Sequence, residues 1–169
     1  SVGSWPDDPF VLHAIGSIVQ EIELHNGWNM FSLNVHPQDQ FIISIFDDDY
    51  ASVSAVKSLG GVHLPANPFS TLHVLEDGEG YLVNMTAPAI LEVRGYPIPP
   101  ETPIALVPGW NLVAFYSQTE LPAYQAVLSI APQLIQLKGE EGIFEPANPF
   151  STLNTLRPGE SYWLNMRSH

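Results

Sequence analysis

The hydrophobic positions of this chain change period along its length, and each change marks an element. Residues 10–15 form a β-rich run that ends at Gly16. In IELHNGWNMFSL (22–33) two strand-like stretches flank Asn26-Gly27, a dipeptide suited to the positive φ of a tight hairpin turn. The stretch QDQFIISIF (38–46) shifts to helical spacing. So does LPAYQAVLSIA (121–131), with Leu121, Tyr124, Val127, Leu128 and Ala131 on one stripe. Alternation returns in VSAVKSLGGVHL (53–64) and LIQLKGEEGIFE (134–145). Both predict hairpins, turned at Gly60-Gly61 and at the Gly139–Gly142 run.

The pattern repeats because the letters repeat. PANPFSTLHVLEDGEGYLVNM (65–85) matches PANPFSTLNTLRPGESYWLNM (146–166) at 14 of 21 positions without a gap. Upstream, Asn26-Gly27-Trp28-Asn29 answers Pro108-Gly109-Trp110-Asn111, and PFVLHAIG (9–16) resembles PAILEVRG (88–95). The chain therefore reads as two copies, 9–85 and 88–166, forming one domain. Residues 1–8 are expected to be a linker and 167–169 the start of an expression tag. Within the octapeptide, Asn67 and Asn148 are expected as helix N-caps, with Pro68 and Pro149 at the first helical position. Phe69, Leu72 and Leu75, and in the second copy Phe150, Leu153 and Leu156, would then plug the core from a very short helix.

The expected fold is mainly β with short helices. Two pseudo-twofold-related repeats would form a small tandem resembling a β-barrel or β-sandwich. The second copy ends at Met166 without a following strand, and 10–16 has the sequence of that missing partner. It is expected to pair with 161–166 and close the fold, covering an exposed edge.

With the GWN and G-E-x-Y elements placed, the chain resembles the tandem "GWNL…PGxGYW" repeats of multidomain extracellular bacterial proteins, often found beside glycan-degrading or adhesion domains. The elements are Gly27-Trp28-Asn29 with Gly78-Glu79-Gly80-Tyr81, and Gly109-Trp110-Asn111 with Gly159-Glu160-Ser161-Tyr162-Trp163. The resemblance spans nearly the whole chain. Copy one departs at Leu82, where copy two has Trp163, and copy two has Ser161 where a glycine is usual. The resemblance implies a secreted, non-catalytic accessory module appended to other domains, and it transfers no binding residue.

Composition narrows the chemistry. Five Lys and Arg against 18 Asp and Glu give a net charge of −13, which repels phosphate backbones and anionic lipid. Neither a nucleic acid nor a membrane is an expected partner. There is no cysteine, which removes disulfides, thiol catalysis and Cys-ligated zinc. No HExxH, G-x-S-x-G or phosphate-cradling glycine loop occurs. The acids lie in expected turns and not as a facing pair, so no enzyme and no cofactor are expected. Asp47-Asp48-Asp49 lacks the alternating spacing of a calcium loop and reads as a solvated turn. His13, His25 and His63 fall in expected strands as half-exposed surface residues, and no metal site is expected.

Aromatics carry the remaining signal. Trp28/Trp110, Phe69/Phe150 and Tyr81/Tyr162 recur in both copies, so they are expected to pack in the core or in turns. Trp163, Trp5, Tyr50, Tyr116 and Tyr124 have no aromatic counterpart, and as a set they are the candidate glycan-binding residues. The expected function is a non-catalytic, extracellular polysaccharide-binding module for a cellulose- or hemicellulose-like ligand. The alternative is a structural, adhesion or protein-interaction module of a larger secreted protein.

Overall fold

Burial with a period of two decides which stretches pair. In β1 (Ile18–Leu24), Gln20, Ile22 and Leu24 turn inward while Val19, Glu21 and Glu23 face water. The computed structural model describes residues 16–168. After β1 come β2 (Gly27–Phe31), β3 (Val35–Pro37), a short helix α1 (Ile42–Phe46) and a 3-10 turn (Asp47–Ser52). Then follow β4 (Val53–Lys57), β5 (Val62–His63), β6 (Tyr81–Met85) and β7 (Ala89–Pro97). The second half contains β8 (Gly109–Ala114), β9 (Leu121–Pro122), α2 (Ala123–Ala126), β10 (Leu134–Gly139), β11 (Gly142–Phe144), β12 (Thr155–Leu156) and β13 (Ser161–Met166).

The protein is mainly β, with several sheets and no closed barrel among the described residues. Two four-stranded antiparallel sheets run β2-β6-β4-β5 and β8-β13-β10-β11. Each has a bulge at the same place, between Val53 and Ala55 in one and between Leu134 and Gln136 in the other. A three-stranded sheet, β1-β7-β3, adds Ile22, Leu24, Val35, Leu91 and Val93 to the first core, which also holds Phe31, Phe46, Tyr81 and Val83. By packing, then, β7 belongs with the first half. The second core gathers Val127, Leu134, Leu137, Tyr162 and Leu164 under α2, with Ile104 and Leu106 of a connecting segment against it.

Both expected hairpins, β4–β5 and β10–β11, form. Four local expectations are corrected. Asn26-Gly27 turns the chain, but β1 and β2 enter different sheets, so it makes a corner and not a hairpin. Helix 121–131 shrinks to four residues. Its first two residues pair with β12, and Pro132 disfavours helix at Ala131. PANPFSTL forms no helix. Asn67 Oδ1 accepts from Phe69 N at 2.9 Å, a local turn, and Asn148 does the same for Phe150. Thr71 and Thr152 then strap the loop back onto β5 and β11. Finally, 161–166 has no open edge, since β13 lies between β10 and β8. The pairing expected of 10–16 is thereby overturned at its acceptor, and residues 10–15 lie outside the described residues.

The halves meet through backbone. Ser32 N donates to Gly159 O and Ala114 N to Gly78 O, both at 3.0 Å. Gly80 N donates to Leu112 O at 3.1 Å, and Ser161 Oγ donates to Tyr81 O at 3.1 Å. A Cβ on Gly80 would come within 2.7 Å of Ser161 Cβ and 2.8 Å of Val113 O. Contact this close explains why position 80 holds glycine where it faces Ser161.

Candidate functional site

The GWN triplet is a corner that displays a tryptophan. Gly27 and Gly109 have φ of +94° and +86°, a region that side chains with a Cβ rarely occupy. Asn111 is buried and clamps the turn. Its Oδ1 accepts from Val107 N at 2.9 Å, and its Nδ2 donates to Val107 O at 2.9 Å and Gly109 O at 3.1 Å. Asn29 does the same with His25 and Gly27. Between glycine and clamp, the strand's alternation sends the intervening Trp28 and Trp110 outward, 45% and 43% exposed. Their expected place in core or turn packing is corrected. The same holds for Phe69 and Phe150, which are 87% and 86% exposed at the tips of their loops.

Trp163 lies on the same face of its sheet as Trp110. Asn165 is opposite Trp110, and Trp163 is flanked by Leu112 and Lys138. The two indole rings meet edge to face, with centroids 6.3 Å apart at 89°. Pairs of this geometry add about 0.5–1.5 kcal/mol beyond their area. At one end this face is covered by the other half, where Leu112 is buried against Gly80. At the Gly109 end it is open. The rings therefore form an L-shaped ledge, with the Asn165 amide and the Lys138 ammonium on the same surface. The matching face of the first half carries Trp28, Asn84, Leu82 and Lys57, and there the Lys57 ammonium sits 5.0 Å from the Trp28 ring centroid.

The other candidates do not join this ledge. Tyr50 is half-buried and its hydroxyl contacts His63 Nε2 at 2.8 Å, while His63 Nδ1 contacts Leu72 O at 2.9 Å. That chain commits Tyr50 to the fold. It also corrects His63, which is buried. Tyr116 is buried in a small cluster with Ile98 and Ala114, and burial raises its phenol pKa. Its ring is not open to a ligand. Tyr124 is 65% exposed on α2. The helix places Ala123 and Val127 in the second core with Tyr162 and Leu164, which point inward from β13, so Tyr124 lies on the other side of that core from Trp163. Trp5 lies outside the described residues. Asp47, Asp48 and Asp49 begin the 3-10 turn, and no group of three metal-ligating side chains occurs among the described residues.

Sequence reasoning missed a groove of about 1030 Å³ between the halves, because its walls come from separate segments. It is lined by Glu21, Glu23, Glu120, Glu140 and Glu160, with Arg157 bridging to Glu120 and Glu141. Burial raises the pKa of the Glu160 carboxyl, partly offset by the Tyr162 hydroxyl that donates to it at 2.8 Å. Comparison with family models, curated proteins and solved structures returns no match. Among the described residues, no helix is long and apolar enough to cross a membrane.

Proposed function

We propose that the chain is a non-catalytic, extracellular carbohydrate-binding module appended to a larger protein, and that it holds polysaccharide on the open face of β8 and β13. The Trp110–Trp163 ledge carries this reading. One indole offers its face to sugar C–H groups and the other an edge wall, at little entropic cost. On the same face, the Asn165 amide can donate to and accept from ring hydroxyls and the Lys138 ammonium can donate to them. The charge of −13 disfavours polyanionic glycans, so the ligand is a neutral polymer of the cellulose or hemicellulose kind. We further read the fold as an internal duplication whose halves are related by a pseudo-twofold axis. In support, the two large sheets share one strand order, the Ser32–Gly159 and Ala114–Gly78 bonds are reciprocal, and Gly80 abuts its own counterpart Ser161.

The test is retention on insoluble cellulose, xylan and chitin. Wild type should be retained on one of these matrices. Trp163→Leu, which copies the first half, should be released without loss of fold. If none of them retains wild type, the reading fails. The second reading, a protein-interaction module, would then be favoured by Phe69 and Phe150, two bare rings on otherwise well-bonded loops.

A further inference from the structure

The chain has 18 acids and only two lysines, and both lysines occupy the same place. Lys138 stands opposite Trp163 on the outer face of the second large sheet, and Lys57 stands opposite Leu82 on the outer face of the first. Neither forms an ion pair with a described residue. With acids in such excess, an ammonium kept clear of them is free to meet an anion from outside.

The surroundings of Lys57 suit such an anion. Asn84 lies opposite the exposed Trp28, and Leu82 lies between Met30 and Lys57. None of these side chains is acidic. At the β2 edge the Glu140 carboxylate is already engaged, accepting from Met30 N and lying 3.8 Å from His25 Nε2. Asn84 bonds Ser54 through its backbone carbonyl, and its side-chain amide makes no hydrogen bond with a described residue. Leu82 removes the wall that Trp163 sets beside Trp110 in the second half. In its stead the Lys57 ammonium sits over the Trp28 ring, 5.0 Å from the centroid.

That cation decides what the ring can hold. A neutral sugar stacking on Trp28 must push the ammonium aside and gives it nothing in return. A sugar with a carboxylate gives the displaced ammonium a charge-assisted hydrogen bond while its ring takes the vacated platform.

We propose that the outer face of β2, β6 and β4 is a second saccharide site, selective for a carboxylate-bearing sugar, a uronic acid. Trp28 is its platform, Lys57 binds the carboxylate and Asn84 meets ring hydroxyls. The proposal rests on the reading of the chain as a polysaccharide-binding module. A neutral main chain with sparse uronic acid side groups suits both faces without becoming the polyanion that the net charge repels.

The indole N–H signals of Trp28, Trp110 and Trp163 in the isotope-labelled full chain read the two faces separately by NMR. The probes are a xylo-oligosaccharide bearing one glucuronic acid and the same oligosaccharide without it. The acidic sugar should saturate the Trp28 shift at a concentration about tenfold or more below that of the neutral one. Lys57→Met should erase that preference, and Lys57→Arg should keep it. An equal response of Trp28 to both sugars, or a preference that survives Lys57→Met, would overturn the proposal. So would a triglutamate peptide that shifts Trp28 as strongly as the acidic sugar, which would make the face a peptide site. Silence of Trp28 with both sugars would overturn the second site whether or not wild type is retained on the insoluble matrices, the separate test of the module reading.

Discussion

The two halves share a corner and differ in what lies on either side of it. In both, a positive-φ glycine and a buried asparagine turn the chain and send a tryptophan outward. On that outer face the first half puts Lys57 over Trp28, whereas the second puts Trp163 beside Trp110. On the inner side the first half closes its core with β1-β7-β3, and the second relies on α2 and the segment 102–107. The corner is thus the invariant device. Its surroundings vary in ways that leave backbone bonding untouched on the outside and change it on the inside.

The largest test removes the corner itself. Asn111→Ala and Asn29→Ala each delete three good hydrogen bonds at a buried site and should each cost about 2–3 kcal/mol by chemical denaturation. If one is silent, the corners are not equivalent. Next is the contact between the halves. Gly80→Ser should destabilise by about 1–3 kcal/mol through overpacking against Ser161 and Val113 O. Combining it with Ser161→Gly should recover much of that loss if the two positions are interchangeable across the junction. No recovery would show that the halves approach asymmetrically.

The face comes third. Trp163→Leu should abolish glycan retention while costing about 1 kcal/mol or less, since only an edge-to-face contact on a partly exposed ring is lost. A collapse of the melting temperature would make Trp163 a fold residue. A smaller effect is expected from Glu160, whose counterpart is Glu79. Its pKa is raised by burial, so the folded chain holds the proton more tightly than the unfolded chain. The stability contributed is present below the ordinary carboxylate range and is lost as pH rises through the raised value. Glu160→Gln should therefore flatten part of the decline in stability as pH rises above the ordinary carboxylate range. An unchanged slope would show that the carboxyl titrates as in water. Smallest of all, Phe69→Ser and Phe150→Ser should each shift stability by no more than about 0.5 kcal/mol, because the loops are held by Asn, Ser and Thr.

Much of the fold was legible because turn chemistry and repetition are local. Gly60-Gly61 and Gly139–Gly142 announce their hairpins by sequence alone. What Asn26-Gly27 could not announce is which sheet the next strand would join, since that depends on β7, some 60 residues on. An asparagine that accepts from the amide two residues on looks the same in a helix cap as in an isolated turn, so the letters around Asn67 fit both. The repeated phenylalanine misled for a related reason: a hydrophobic letter fixed in two copies suggests a core, yet both rings stand in water. At the site, Trp163 stood out because Leu82 replaces it. Trp110 was hidden by having a counterpart. Tyr50 and Tyr116 are unmatched because the cores differ. One meets His63 in the first core, and the other fills the small cluster with Ile98 and Ala114.

The asparagine clamp has a consequence for how such a module changes over generations. Because Asn111 secures the corner through backbone atoms, the residue at 110 and its outward neighbour at 163 carry little of the task of folding. Mutations there are free to drift, and a surface can be rewritten ring by ring while the scaffold beneath it stays put. The two halves each hold such a writable surface, so one can be tried while the other is kept. Libraries randomised at 110, 163 and 165 should then yield mostly folded members, with new preferences for ligand and few casualties in expression.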